Sequence, residues 1–219
     1  MNPDHVKRNS SIISKGIRGW GKDNFASYPW RFTDDKWLSL VAEIMLQRTR
    51  ASSVVPVWCE FAQKFPSPEL LIGVTEDDIR LLMGPLGLAW RAPLILKLAE
   101  ALIELGGIPE DKDMLKALPG IGDYAASAVL SFKMNKRAVI IDSNVVRWIC
   151  RMTGSEYHGE VRRQNWLKEV VDVVTPARVY KDFNYALLDF TMTVCAKKPL
   201  CSKCPVSQHC FYYADMKQK

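Results

Sequence analysis

The stretch "LPGIGDYAA", Leu118 to Ala126, decides how the rest of the chain is read. Gly120 and Gly122 alternate around one apolar residue, a pattern that makes a tight connection and leaves backbone N–H groups free where the next helix starts. Such groups can converge on an anion, a phosphate for example. Pro-Gly turns also join helices that bind nothing, so this stretch alone leaves both readings open. Behind it, Ala125, Ala126, Ser127 and Ala128 are small enough for a helix to approach a neighbour closely. Tyr124 stands between the turn and this helix.

Working outward, the sequence reads as all-α, with recurrent helix punctuation and no convincing sheet. "WLSLVAEIMLQRTR" predicts one helix from Trp37 to Arg50, its broad apolar face opposed by a narrow polar stripe of Ser39, Glu43 and Gln47. Ser67-Pro68 reads as an N-cap with Pro at the first helical position, and Thr75 with Asp78 as a capping box. "MGPLGL" ends that helix. A further helix is predicted over Arg91–Leu105, closed by Gly106-Gly107, and a short one over Met114–Leu118. In "AVIIDSNVVRWICRM" an apolar run meets Asp142, a residue suited to cap the helix that follows.

Composition narrows the class of protein. The 219 residues are 48% hydrophobic, enough for one large core or two small ones. Lys plus Arg exceed Asp plus Glu by 30 to 24, a net charge of +6 that suits a polyanion partner and equally a basic protein without one. The N-terminus lacks the apolar run of a secretory signal, and no stretch approaches the roughly 20 apolar residues that span a bilayer. An intracellular, cytoplasmic protein is expected, with no membrane partner. A reducing compartment makes a disulfide framework an unsuitable use for six cysteines.

Four of them stand together near the C-terminus. Cys195, Cys201, Cys204 and Cys210 follow a C-x5-C-x2-C-x5-C spacing, which brings four soft ligands together for zinc or an iron–sulfur cluster. Spacing does not choose between the two metals. Lys197 and Lys198 lie between the first two ligands and Lys203 between the next two, placed either for phosphates or simply for solvent. Cys59 and Cys150 sit in apolar helical patterns and are expected to be buried.

The motifs taken together resemble the helix-hairpin-helix DNA glycosylase superfamily, in the branch of endonuclease III, the MutY-type adenine glycosylases and the thymine-DNA mismatch glycosylases. The markers are "YPWR" at 28–31, "EIMLQRT" at 43–49, "LGL" at 86–88, "LPGIGDY" at 118–124, "IIDSNVVRW" at 140–148, "FNYALLDF" at 183–190 and the cysteines. The resemblance covers nearly the whole chain. It implies two helical lobes flanking a DNA-binding cleft, one domain over 33–140 with the hairpin and another of 1–32 plus 141–219. It also implies a [4Fe–4S] cluster on Cys195, Cys201, Cys204 and Cys210. The first two cysteines are one residue closer than the family usually has them, so a tighter loop is implied.

The resemblance assigns chemistry residue by residue. Breaking a glycosidic bond gives the sugar cationic character, and Asp142 matches the carboxylate that stabilises it; taken singly, Asp142 is a helix cap. Gln47, Arg48 and Leu88 match wedge positions that fill the gap left by a flipped nucleotide, although their own pattern also fits a helix surface and a buried leucine. Gly120 and Gly122 match the phosphate grip, with a monovalent cation as a further ligand of the hairpin. Tyr124 stands where lyases carry an attacking lysine, which implies a monofunctional hydrolase and resembles the thymine mismatch branch. Glu43 matches a base-pocket residue shared by the adenine and thymine branches; a solvated glutamate is its competing reading. The chain stops nine residues after Cys210, leaving no extra domain of the kind that adenine glycosylases use for 8-oxoguanine. The expected function is therefore removal of thymine or uracil opposite guanine by a monomer acting on mismatched double-stranded DNA. An adenine glycosylase and a non-catalytic iron–sulfur DNA-binding module are the alternatives.

Overall fold

Side-chain caps written into the sequence start five of the described helices, those beginning at Pro3, Lys36, Glu76, Lys112 and Ser143. In the computed structural model, which describes residues 1–218, the described residues form α-helices and short 3-10 turns with no β-strand. The helices are α1 (Pro3–Arg8), α2 (Ser10–Asp23), α3 (Pro29–Phe32), α4 (Lys36–Leu46), α5 (Ala51–Lys64), α6 (Glu76–Met83), α7 (Ala92–Glu104), α8 (Lys112–Ala117), α9 (Asp123–Lys133), α10 (Ser143–Thr153), α11 (Asn165–Val174), α12 (Tyr180–Thr193) and α13 (Phe211–Gln218). The all-α expectation holds. No described helix is long and apolar enough to cross a membrane.

Contacts group the chain into two compact units, Ser27–Lys136 and Met1–Ala26 with Arg137–Lys219. These limits differ from 33–140 for physical reasons at both ends. Helix α3 packs on α4 and so lies with the central unit. Arg137 donates to Asp172 Oδ1 at 2.7 Å and to Thr175 O at 2.9 Å, which fixes it to the other.

In the central unit, Asp35 caps α4 by accepting from Leu38 N at 2.8 Å. Leu40, Ile44 and Met45 of α4 are fully buried against α5 and α9. The small residues Ala125, Ala126 and Ala128 of α9 are buried where it packs on α4, as close approach requires. The helix predicted through Arg50 ends four residues earlier, at Leu46, because Gln47 turns extended at φ −63°, ψ 113°, before Arg48 turns left-handed at φ 61°. The Thr75–Asp78 capping box forms. Ser67 makes no side-chain cap, and Pro68–Leu71 is a 3-10 turn instead of an α-helix. Helix α8 starts at Lys112, two residues before the predicted Met114, because Asp111 caps it by accepting from Asp113 N and Met114 N.

The other unit joins both ends of the chain around Ile13, Ile17, Trp148, Leu167, Phe183 and Phe190. Helices α2 and α12 cross closely at Gly21, where a Cβ would stand 2.4 Å from that of Ala186. Helix α10 packs on α12 and α13, and so is fixed at the centre of the unit that carries the cysteines.

Candidate active site and cysteine loop

Glu43 lies on the buried face of α4 at 8% exposure, and its Oε2 has no hydrogen-bond partner. Burial pushes its carboxyl up to about 8, against the opposing fields of Arg31 and Lys133. The shift favours the protonated form, which is a hydrogen-bond donor. The solvated-stripe reading fails: Ser39 is also buried, donating to Asp35 O at 2.7 Å. Gln47, the third member, donates from Nε2 to Gly120 O at 3.2 Å. Its partner belongs to the hairpin, so the end of α4 and the turn before α9 are joined.

The hairpin runs from α8 through Leu118–Gly122 into α9. Gly120 has φ +78°, and a Cβ there would meet Ile44 Cδ1 at 3.3 Å, so both backbone and space select glycine. Gly122 is extended, with nothing within 4 Å of a Cβ position. As the N-cap of α9 it supplies no side-chain acceptor, and it is exposed. The turn thus presents bare backbone to solvent at a helix start, the arrangement an anion requires. Tyr124 sits half-buried in the first turn of α9.

The three wedge positions differ in placement. Arg48 is exposed, Gln47 is half-buried and Leu88 is buried at 6% exposure. The exposed apolar side chain of the Leu88 segment is Trp90, at 58%. Leucine in a short loop carries no pattern that would have told these two apart.

In the other unit, Asp142 caps α10, accepting from Val145 N at 2.7 Å and from Asn144 Nδ2 at 2.8 Å. Asn144 Oδ1 in turn accepts from Arg147 Nη1 at 3.0 Å. The same guanidinium donates to Thr191 O at 2.7 Å and Cys195 O at 3.0 Å. A hydrogen-bonded line therefore runs from the aspartate to the first cysteine. One turn further on, Arg151 donates to Ala196 O at 2.6 Å, Lys197 O at 2.9 Å and Cys195 Sγ at 3.4 Å, with its charge 5.0 Å from the centre of the Tyr212 ring. The short Cys195–Cys201 loop is folded around this guanidinium. Asn144, Arg147 and Arg151 were not singled out from sequence; two arginines four apart after a helix cap are the signal that was available.

Cys195, Cys201, Cys204 and Cys210 line one pocket with Trp148, Met152 and Val194 among its walls. Among the described residues, no three His, Cys, Asp or Glu side chains are grouped as ligands of a single ion. Trp148 Nε1 is buried without a hydrogen-bond partner, and burial pushes the Cys204 thiol up to about 12, helped by Cys195, Cys210 and Cys201. Four soft donors whose thiols resist ionisation alone fit a cationic metal centre, zinc or iron–sulfur, whose charge would favour the thiolates. Lys197, Lys198 and Lys203 are exposed. Cys150 is buried as expected, whereas Cys59 is exposed on α5, on the side of the helix away from Trp58 and Phe61.

The HhH-GPD superfamily of base excision DNA repair proteins matches residues 41–171. The chain is 37% identical to a thymine/uracil-DNA glycosylase of Pyrobaculum aerophilum, over 96% of this chain and 93% of that one. It is 37% identical to a thymine-DNA glycosylase of Aeropyrum pernix, over 84% and 86% respectively. A solved structure described as a thermostable thymine-DNA glycosylase superposes with a TM-score of 0.86 at 30% identity, covering 95% of this chain and 98% of that one. The chain belongs to the HhH-GPD superfamily.

Proposed function

We propose that the protein is a DNA glycosylase that hydrolyses the N-glycosidic bond of thymine or uracil mispaired with guanine, leaving an abasic site without cutting the strand. The observation that carries the reading is identity of 37% along 93% of a thymine/uracil-DNA glycosylase, in a chain whose Asp142 and Glu43 have the chemistry such an enzyme needs. As the C1′–N1 bond breaks, its electron pair leaves with the base and positive charge develops on the sugar. The Asp142 carboxylate stabilises that charge and accepts the proton that water loses on adding to C1′. Neutral Glu43 donates a hydrogen bond to a carbonyl oxygen of the departing base, where negative charge collects; the base anion takes a proton from solvent, and Asp142 gives the proton it accepted back to solvent. Tyr124 packs on the extruded nucleotide, and a phenol offers no amine for a Schiff base.

Gly120 and Gly122 grip a phosphate, together with a monovalent cation, while Gln47, Arg48 and the Leu88 segment support the vacated stack. Cys195, Cys201, Cys204 and Cys210 would hold a [4Fe–4S] cluster, which supplies four metal–sulfur bonds as the rigid core of a loop carrying Lys197 and Lys198. Duplexes with G·T, G·U or 8-oxoguanine·A pairs, incubated and then treated with alkali, test the substrate. Strand breaks in the first two are expected; breaks confined to the third would overturn the assignment. Borohydride trapping of a covalent adduct would contradict the hydrolytic reading. Iron and sulfide analysis with visible absorption separates a cluster from zinc.

A further inference from the structure

We propose that Arg91 is a positioning residue that sets the Gln47–Arg48 turn in the conformation used to hold flipped DNA; this rests on the glycosylase reading above. Arg91 is 3% exposed, and no carboxylate pairs with it among the described ion pairs. Its Nη1 donates to Ile44 O at 2.7 Å and to Gln47 O at 3.1 Å. Those carbonyls end α4, whose last turn contains no basic residue of its own. A cation delivered from a distant part of the sequence thus satisfies the negative end of the helix.

The consequence falls on the next residue. Gln47 is fixed through its carbonyl by Arg91 and through its amide by Gly120 O at 3.2 Å. The chain then turns left-handed at Arg48, φ 61°, and Thr49 N returns to Leu46 O at 3.3 Å. A side chain larger than glycine resists that backbone geometry, so it persists because its neighbours hold it. What the turn achieves is exposure of Arg48, next in the chain to the residue that meets the hairpin. Arg91 also donates its own backbone N–H to Leu88 O at 2.8 Å, and its guanidinium lies 4.6 Å from the centre of the exposed Trp90 ring. One buried cation therefore ties the Arg48 turn to the Leu88–Trp90 segment, so that both face DNA as a single rigid element.

The test uses Arg91→Met, which keeps the stem and removes the fork, and Arg91→Lys, which keeps the charge. Single-turnover base release is measured on a G·U duplex and on the same strand with the uracil in an unpaired bubble, below the unfolding temperature of each protein. Arg91→Met is expected to slow the duplex reaction tenfold or more and the bubble reaction by less than threefold, with Arg91→Lys between it and the wild type. Brief trypsin treatment, with cleavage sites located by mass spectrometry, is expected to show faster cutting after Arg48 in Arg91→Met and unchanged cutting at the Lys and Arg sites outside this turn that both proteins share. Equal slowing on both substrates would mark a merely structural role and overturn the proposal. So would unchanged cleavage after Arg48. A wild-type protein inactive on both substrates would overturn the glycosylase reading instead, leaving the proteolysis result to decide whether Arg91 holds the turn.

Discussion

Glu43 and Asp142 are both carboxyl groups, and their surroundings differ: one is buried and the other caps a helix. Glu43 is buried without a partner for one oxygen, so the folded protein keeps a proton there up to about pH 8, whereas the ordinary value is 4.5. Because the folded state binds that proton more tightly, stability falls as pH rises from about 4.5 through 8 and then levels. Glu43→Gln is neutral throughout, so its urea midpoint relative to wild type is expected to be higher at pH 9 than at pH 5.5. If the O–H assists departure of the base, wild-type base release also declines above about pH 8, and the variant lacks this decline. Asp142 instead caps a helix with Oδ1 while Oδ2 accepts from Asn144. Asparagine caps nearly as well as aspartate, so Asp142→Asn is expected to leave the melting temperature within a few degrees. Without the negative charge, single-turnover base release should fall by about 100-fold or more. A variant with undiminished release would remove Asp142 from the mechanism. Asp142 was legible in the sequence because a cap after an apolar run has a local signature. The burial of Glu43 was not, since four-residue spacing gives a helix face but does not reveal which neighbours cover it.

Among elements, the hairpin separates what folding demands from what binding demands. Gly120 combines φ +78° with a 3.3 Å approach to Ile44, so Gly120→Ala is expected to cost about 1–3 kcal/mol of stability, read from the denaturant midpoint. Gly122 has neither constraint, and Gly122→Ala should fold as wild type does. Its added methyl stands where a phosphate would meet the backbone, so a several-fold weaker affinity for duplex DNA is expected without loss of stability. Equal affinity would mean that the turn merely joins α8 and α9. The sequence showed this turn clearly because Pro and Gly punctuate locally. It overextended α4 because the signal that ends the helix lies elsewhere: Arg91 meets the carbonyls of Ile44 and Gln47 from more than forty residues away. Arg147 and Arg151 were missed for the same reason, as their partners are backbone carbonyls of a loop that only folding brings to α10. Local signatures announce caps and turns; long side chains that satisfy distant backbone do not.

For the whole molecule, periodicity identified helix faces but not which faces meet. That the N-terminal segment, expected as residues 1–32 and found as 1–26, packs with the C-terminal part became an expectation only through family resemblance, because hydrophobic faces on α1 and α2 can pair with many others. Charge is the one whole-chain property that needs no fold to interpret. A net +6 over 219 residues is a mild bias, so the proposed affinity for a duplex depends on where the cations stand. Lys197 and Lys198 are exposed on the loop that Arg151 and the cysteines shape, and neither forms an ion pair among the described residues. If both meet phosphates, each displaces about one counterion from the duplex. Replacing both with Gln is then expected to reduce the slope of log affinity against log salt by about 2, with similar effects on matched and mismatched duplexes. Affinities measured between 50 and 200 mM salt give that slope. An unchanged slope would make these lysines solvated residues, whereas a loss confined to mismatched DNA would mean that the loop senses the distortion at the mispair.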